Sequence, residues 1–205
     1  MRTSPLLLIR LFVAIYFTGL FGSCQGPKGG RENTKQAPSR QAYAIAIHGG
    51  AGNTKAADLP EEKQKAYREK LQGALDKGVS MLEEGSEGLD VVEAVIRTLE
   101  DCPLFNAGKG AVFTHHGTNE LDASIMDGRN LNAGAVAGVG DIRHPISAAR
   151  KVMENSGHVL LAGAGASVFA RQQGLEIVDS SYFRTQARWQ SLQRALKAEK
   201  HGTVG

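Results

Sequence analysis

The sequence predicts an α+β domain in which layers of helix pack on a sheet. Two amphipathic helix patterns come first, a group of short strand patterns follows, and further helix patterns come last, so the order is not a regular βαβ alternation. A chain of 205 residues is long enough for one sizeable core. Its aliphatic and glycine-rich middle is typical of a soluble globular protein. We therefore expect one domain.

The first elements follow from local patterns. Residues 43–47 alternate with β-branched side chains, which predicts a buried strand running into His48-Gly-Gly-Ala-Gly52. Pro60, Glu61 and Glu62 are typical of a first helical turn, and Gly85 is a plausible stop. The apolar stripe of that helix comprises Ala66, Leu71, Leu75, Val79 and Leu82. Asp90 is predicted to cap a second helix, with a broad apolar face up to Leu99.

The second half alternates loops, strands and helices. Residues 103–110 read as a loop, and strand-like pieces follow at 111–114, 120–126 and 131–139, which we expect to pair in antiparallel fashion. Asp127-Gly128 is a hairpin-turn signal between the last two pieces. A helix is then predicted over 145–155, a strand over 159–162, a helix over 166–173 and one long polar helix over 181–200.

The first forty residues are predicted to lie outside the fold. Arg2 and Arg10, the apolar run 11–21 and Gly22-Ser23-Cys24 form the pattern of a secretory signal over residues 1–23. The run is shorter than the roughly 20 residues that span a bilayer. Cys24 lies where a bacterial lipobox is acylated, although Phe21 departs from that pattern, so lipid attachment and simple release both stay open. Residues 24–41 lack large apolar side chains and predict a flexible tether. We expect a periplasmic or lipid-anchored protein of the bacterial envelope.

Charge and cysteine content exclude several classes. The net charge is +3, and much of the surplus falls in the first forty residues. Elsewhere Lys and Arg are scattered among acids with no basic stripe, which argues against nucleic-acid binding. Cys24 and Cys102 are the two cysteines, and with Cys24 at the processing site they build no disulfide framework.

Three other motif readings are weak. Gly163-Ala-Gly165 follows an apolar strand, but Val168 occupies the place of the third glycine of a dinucleotide-binding loop, so we expect tight strand-to-helix packing instead. No G-x-S-x-G serine motif is present. The histidines lack the spacing of a zinc site, and we expect exposed loop residues at His115, His116, His144 and His158.

Five segments in a fixed order carry a family resemblance. They are His48-Gly-Gly-Ala-Gly52, the loop LEDCPLFNAGKG at 99–110, ELDASIMDG at 120–128, AGAVAG at 133–138 and His201-Gly-Thr-Val-Gly205. Together they resemble the plant-type L-asparaginases, also called isoaspartyl or β-aspartyl peptidases, which are N-terminal nucleophile hydrolases. The resemblance covers about residues 43–205. It implies a four-layer αββα sandwich, with residues 42–202 as its α-subunit part and residues 203–205 as the start of the β subunit.

The resemblance implies a threonine nucleophile whose amino group becomes free when the chain cleaves itself. A threonine hydroxyl needs a base, and a free α-amine on the same residue is a base of suitable pKa. The Thr203 hydroxyl can attack the carbonyl of Gly202, shift the acyl group from nitrogen to oxygen and, after hydrolysis, leave Thr203 as a new amino terminus. Glycine at 202 permits a strained peptide geometry because it has no Cβ.

The resemblance also implies the surroundings of that nucleophile. Asn106 matches an orienting amide beside it, and His48, Gly49 and Gly50 line the active site with backbone groups. A sodium or potassium ion is expected in the same region, and hard carbonyl oxygens suit it. Its backbone ligands are implied to be Leu99, Glu100, Cys102, Phe105, Ala107 and Lys109.

The implied activity is hydrolysis of L-asparagine and/or β-aspartyl dipeptides through an acyl-enzyme on Thr203, in an (αβ)2 assembly. The family's substrate-binding residues lie in the β subunit, of which three residues are present, so we expect this chain to be a fragment that is inactive alone. A function of another class stays open. In that reading the chain is a non-catalytic, surface-tethered binding protein or a pseudoenzyme of the same fold.

Overall fold

The computed structural model describes residues 43–50 and 58–202. The predicted signal, the tether, Cys24, Ala51, Gly52 and Thr203 lie outside these residues, so the hypotheses about them stay predictions. The elements in chain order are α1 (Glu61–Glu83), α2 (Gly88–Glu100), β1 (Leu121–Met126), β2 (Ala133–Val139), α3 (Pro145–Asn155), β3 (Leu160–Ala162), α4 (Gly163–Gln172) and α5 (Gln186–Lys200). No helix in this part of the chain is both long and apolar enough to cross a membrane.

The first two helices pack through small residues. The predicted stripe of α1 is half-buried, whereas Ala74 and Gly78 are its buried positions. A Cβ at Gly78 would lie 2.5 Å from Ile45 Cδ1 and 3.0 Å from Val95 Cγ2, so glycine lets α1 approach α2 closely. Gly85 has a φ of +84° one residue after the C-cap of α1, which confirms the predicted stop.

Two predictions near the amino terminus of the domain were wrong in detail. Residues 43–47 form no regular strand, although Ile45 and Ile47 pack on the α1–α2 core and their neighbours Ala44 and Ala46 are exposed, as the alternation requires. The pattern specifies the faces of an extended segment, but a strand also needs a hydrogen-bonded neighbour. Asp90 lies within α2, whose N-cap is Glu87, because the helix begins three residues earlier than expected, at Gly88.

Within the described part of the chain, the sheet has three strands in the order β1-β2-β3. β1 and β2 are antiparallel, and residues 127–130 form the predicted turn between them. The antiparallel β1–β2 pair is the pairing expected for these two strands. β3, for which no direction was predicted, is parallel to β2 because α3 carries the chain back before β3 begins. The strand expected at 111–114 is reduced to a single bridge between Phe113 and Asn119.

Helix α3 covers one face of the sheet. The covered face is buried at Leu121, Ile125, Val136 and Val139. A Cβ at Gly134 would overlap the Ala149 carbonyl oxygen, so α3 lies directly on β2. On the opposite face Asp122, Ser124 and Met126 are exposed, and Ala135 and Ala137 are half-buried. The residues described thus form a helical layer on one face of a small mixed sheet.

Helices α4 and α5 correct two further expectations. Gly163 has a φ of +52°, and a Cβ there or at Gly165 would meet nothing within 4 Å, so backbone conformation at Gly163, and not tight packing, explains the first glycine. Nothing in the structure explains Gly165. The long helix expected over 181–200 is broken into a 3-10 turn, Ser180–Phe183, and α5. Phe183 is fully buried, and Thr185 then starts α5 by accepting a hydrogen bond from the Arg188 amide at 3.4 Å.

Candidate active site

The loop after α2 turns tightly around its own carbonyl groups. It leaves the helix at Glu100 and ends in a 3-10 turn, Gly108–Gly110. Gly108 has a φ of +46°, and a Cβ there would overlap the Glu100 carbonyl oxygen. A Cβ at Gly110 would overlap the Phe105 carbonyl oxygen. Both positions therefore require glycine because a neighbouring backbone occupies the space of a side chain.

The predicted cation ligands keep free acceptor capacity. Within the described residues, four carbonyl oxygens of the set accept no hydrogen bond: those of Glu100, Cys102, Phe105 and Lys109. Leu99 accepts one from the Cys102 amide at 3.1 Å, and Ala107 accepts one from the Gly110 amide at 3.0 Å. A carbonyl oxygen has two lone pairs, so all six can still bind a cation. The donor set fits a hard monovalent ion.

Other carbonyls of the same loop are occupied by side chains. The Leu104 carbonyl accepts from the Tyr67 hydroxyl at 2.9 Å and from Arg188 Nη2 at 3.3 Å, and the Gly110 carbonyl accepts from Arg188 Nε at 2.7 Å. Neither carbonyl belongs to the predicted ligand set. The carbonyls bonded by side chains are thus distinct from the predicted ligand set.

Asn106 is exposed, and its amide is nevertheless oriented. Its Oδ1 accepts from the Val112 amide at 2.9 Å. That bond fixes which end of the side-chain amide is oxygen, and it leaves Nδ2 as a donor with no partner among the described residues. The side chain can therefore offer an N–H to a nucleophile or to a developing oxyanion nearby.

The structure brings the His48 motif beside this loop. A Cβ at Gly49 would lie 3.4 Å from the Phe105 ring and 3.2 Å from Leu71, so the two predicted segments are neighbours. The Gly50 amide donates to His48 Nδ1 at 3.2 Å, and Gly50 has a φ of +117° that favours glycine. Residues 48–50 are exposed and lie beside the loop that carries Asn106.

Gly202 lies just beyond α5 in a left-handed conformation. Its φ is +64°, and its amide donates to the Glu199 carbonyl at 3.0 Å. Glycine adopts this conformation without strain. Thr203 lies outside the described residues, so the structure does not test its contact with Asn106.

Glu100 is a buried side chain that the sequence reading missed. It is 3% exposed, and its Oε1 accepts from the Ile146 amide at 3.0 Å, whereas Oε2 has no partner among the described residues. Burial raises the pKa of Glu100 to about 8. The feature that could have indicated an acceptor such as Glu100 is the start of α3. This helix begins with Pro145 and has no capping side chain at its N-cap, His144.

Asp101 is the centre of a polar cluster beside Glu100. His144 Nε2 lies 3.1 Å from Asp101 Oδ1, and Arg143 Nη2 and the Tyr182 hydroxyl contact the same oxygen at 3.2 and 3.1 Å. Although burial opposes it, the neighbouring His144, Tyr182 and Arg143 lower the pKa of Asp101. Burial in turn lowers the pKa of His144. These contacts tie the end of α2 to the segment before α3.

The histidines correct one expectation. His144 is buried, not exposed. His115, His116 and His158 are exposed loop residues as expected, and the rings of His115 and His116 touch edge to face at 5.5 Å in a turn. Within residues 43–50 and 58–202, no three His, Cys, Asp or Glu side chains are grouped to hold a metal ion. Cys102 is free and buried.

Comparison with known proteins assigns the family. A family model described as asparaginase matches residues 41–204. The chain is 52% identical over 154 residues to the isoaspartyl peptidase of Salmonella typhimurium, covering 75% of this chain and 49% of that protein. It is 50% identical over 160 residues to the isoaspartyl peptidase of Escherichia coli, covering 78% of this chain and 49% of that protein. It is 46% identical over 153 residues to the plant-type L-asparaginase of Pyrococcus abyssi, covering 75% of this chain and 48% of that protein. The chain spans about half the length of these relatives. It belongs to the asparaginase family.

Proposed function

We propose that the full protein cleaves itself between Gly202 and Thr203 and then hydrolyses L-asparagine and/or β-aspartyl dipeptides. The observation that carries the proposal is the loop of residues 99–110, which presents an oriented Asn106 amide. Four carbonyl oxygens of this loop, those of Glu100, Cys102, Phe105 and Lys109, accept no hydrogen bond from the described residues. The family match also continues through Thr203, to residue 204. Relatives at about 50% identity are named isoaspartyl peptidase.

Self-cleavage needs one hydroxyl and one flexible peptide. The Thr203 oxygen attacks the Gly202 carbonyl carbon, the C–N bond breaks, and the acyl group moves to the oxygen as an ester. Water then hydrolyses the ester, leaving a carboxylate on Gly202 and a free amine on Thr203. The left-handed conformation of Gly202 supports this step because a residue with a Cβ would enter it only with strain.

Catalysis then reuses the same oxygen. The Thr203 amine takes the hydroxyl proton, the oxygen attacks the side-chain carbonyl of the aspartyl substrate, and the protonated amine returns the proton to the leaving ammonia or amine. Water releases aspartate from the acyl-enzyme. The free Nδ2 donor of Asn106 would orient the hydroxyl or stabilise the oxyanion.

A sodium or potassium ion would be held by the carbonyls of Leu99, Glu100, Cys102, Phe105, Ala107 and Lys109. When bound it would supply structural order to the loop and no chemistry. The free acceptors in that set support the proposal. The melting temperature of the full protein should rise when sodium or potassium chloride replaces choline chloride at equal ionic strength, and an unchanged melting temperature would contradict the ion site.

A β subunit from the same precursor would complete the four-layer αββα sandwich and the (αβ)2 assembly. The sheet supports this because α3 covers one of its faces and the other carries exposed or half-buried residues, among them Ser124 and Ala135. A strand partner would also suit residues 43–47, which are extended and lie outside the three-stranded sheet. Residues of that subunit would then bind the substrate carboxylate.

Export to the periplasm, with or without acylation at Cys24, is part of the same proposal and rests on the pattern of residues 1–24. Intact mass of the mature protein tests it. A mature chain that starts at Cys24 with added acyl mass would support a lipoprotein, and one that retains Met1 would contradict export.

The decisive experiment replaces Thr203 in the full-length precursor. Thr203→Ala should remain a single uncleaved chain and release no ammonia from asparagine, because both steps need the hydroxyl. Thr203→Ser should still cleave, although serine lacks the methyl that restricts the rotamer. Ser191→Ala, on the exposed side of α5, is the matched control and should behave as the wild type. If Thr203→Ala still splits at Gly202, or if the wild type neither cleaves nor turns over substrate, the proposal fails, and the second outcome favours a non-catalytic protein of this fold.

A further inference from the structure

One arginine of helix α5, Arg188, contacts the loop of residues 99–110. No residue of α5 is buried, yet the half-buried Arg188 donates from Nε to the Gly110 carbonyl at 2.7 Å and from Nη2 to the Leu104 carbonyl at 3.3 Å. The guanidinium thus holds two carbonyls on either side of Asn106. Among the described residues no carboxylate pairs with Arg188, so its charge rests on these backbone oxygens.

An aromatic contact beside Arg188 fixes the helix in place. The Trp189 ring meets the Phe113 ring edge-on at 5.3 Å, and the Arg184 guanidinium lies 4.0 Å from the Trp189 ring centroid. A Cβ at Gly117 would lie 3.4 Å from the Trp189 ring. Trp189 therefore docks α5 on residues 113–117, which leaves Arg188 to fix the position of the loop relative to the helix.

Arg188 also determines which carbonyls of the loop stay available. It occupies those of Leu104 and Gly110, and within the described residues those of Phe105 and Lys109, next to them in sequence, accept no hydrogen bond. A planar guanidinium spans two acceptors at once, which a lysine ammonium does not. The two Arg188 bonds therefore add to the Tyr67 bond and to the loop's own backbone bonds in holding the segment around Asn106.

We propose that Arg188 is a positioning residue for self-cleavage: it fixes the loop that carries the Asn106 amide to α5, the helix that leads into Gly202-Thr203. The inference rests on the proposed function. α5 ends at Lys200, two residues before Gly202, so Arg188 and Trp189 link the Asn106 loop to the element that precedes the proposed cleavage site.

The test uses the full-length precursor with Arg188→Ala, Arg188→Lys and the matched control Arg194→Ala. Arg194 lies on the same helix and contacts only Ser191, within α5, among the described residues. The first readout is the rate of conversion to two chains on a gel. The second is hydrogen exchange in an uncleavable Thr203→Ala background, followed at the amides of Gly110, Ala111 and Val112, which are bonded within the loop.

Arg188→Ala should slow cleavage and speed exchange at residues 110–112 by about tenfold or more, the factor expected for a lost charge-assisted hydrogen bond. Exchange in β1 should stay unchanged. Arg188→Lys keeps the charge but reaches one carbonyl, so it should show a smaller change in the same direction, and Arg194→Ala should match the wild type. If Arg188→Ala destabilises the whole fold, hydrogen exchange in β1 will also become faster. In that case the exchange and cleavage rates of Arg188→Lys test the inference.

Wild-type exchange and cleavage in the Lys variant, or in a folded Arg188→Ala protein, would overturn the inference. A global loss of folding would not reproduce a change confined to residues 110–112. Because the exchange measurement is made without cleavage, it separates this inference from the proposed function: if Thr203 proves not to be the nucleophile, the exchange result still shows whether Arg188 holds the loop.

Discussion

At the scale of single residues, Asn106 has a surface position and a fixed orientation. The bond from the Val112 amide uses its oxygen, so its nitrogen is available for chemistry. A lysine or glutamate at the same place would be flexible and would not present a defined donor. Its neighbours Phe105 and Gly108 are buried, which anchors the backbone on both sides of the exposed amide.

Two substitutions separate the roles of that amide. Asn106→Asp keeps an oxygen for the Val112 amide but removes the N–H donor, whereas Asn106→Ala removes both. We expect both variants to lose turnover by roughly 1 to 3 kcal/mol of transition-state stabilisation. Asn106→Ala should also lose about 1 kcal/mol of unfolding free energy. Steady-state kinetics and urea unfolding of the full protein measure the two effects, and full activity of Asn106→Asp would contradict the assigned donor.

At the scale of elements, glycines allow the parts to approach closely. Gly134 of β2 lies against the backbone of α3, and Gly108 lies against the backbone at the end of α2. Gly78 of α1 lies against side chains of α2, among them Val95. The side chain of Glu100 adds a polar link because it accepts from the first free amide of α3, which follows Pro145. A helix start is thus stabilised by a residue 46 positions away.

Gly134→Ala tests the contact between β2 and α3. The added methyl would overlap the Ala149 carbonyl and lie within 2.7 Å of the Met153 Cβ, and backbone atoms cannot move aside as a flexible side chain can. We expect a loss of about 1 to 3 kcal/mol in unfolding free energy. Gly128→Ala is the control, since a Cβ there meets nothing within 4 Å. Equal urea midpoints for the two variants would contradict the close approach of α3.

Glu100→Gln tests the buried carboxyl through pH. Because burial raises the folded-state pKa from 4.5 to about 8, the folded state holds a proton that the unfolded state has lost between these values. Stability should therefore fall as pH rises from 4.5 to 8, by an amount on the order of a few kcal/mol, and stay low above pH 8. Glutamine keeps the acceptor for Ile146 and does not ionise, so its variant should lose this fall.

The measurement is urea unfolding of the full protein between pH 4.5 and 9 at constant salt. Asp101 and His144 remain in the variant, so their titration contributes to both curves. Glu69→Gln, an exposed position on α1 paired with Lys65 at 3.8 Å, is the control and should keep the wild-type slope. The same slope in Glu100→Gln would show that Glu100 does not carry the effect.

At the scale of the whole molecule, the described residues form a layer of helix on a sheet with an open second face. Met126 and Leu160 on that sheet are 59% and 54% exposed, and Ala135 and Ala137 between them are half-buried. Small apolar residues at the centre of a sheet face allow close approach of another sheet, at about 10 Å. This sheet face is therefore the surface on which we expect the proposed β subunit to pack.

Ala135→Arg probes that contact. If a second sheet covers the face in the full protein, a buried guanidinium with no partner should lower the unfolding free energy by more than about 2 kcal/mol and reduce cleavage. If the face is exposed to water, the variant should unfold like the wild type. Gln190→Arg, on the exposed side of α5, controls for the added charge. Thermal unfolding and gel analysis of the full-length precursor distinguish the two outcomes.

The amino-acid sequence by itself determined the features that depend on near neighbours. It specified α3 to the residue, the stop of α1 at Gly85, the turn at Asp127-Gly128 and the five motifs that identify the family, because caps, turns and glycine-rich loops act within a few positions. Only the tertiary structure decided the parallel pairing of β3, the missing strand at 43–47, and the burial of Glu100 and His144. Arg188 reaches Gly110 across 78 positions, and such contacts depend on which elements come together in space, which no local pattern specifies.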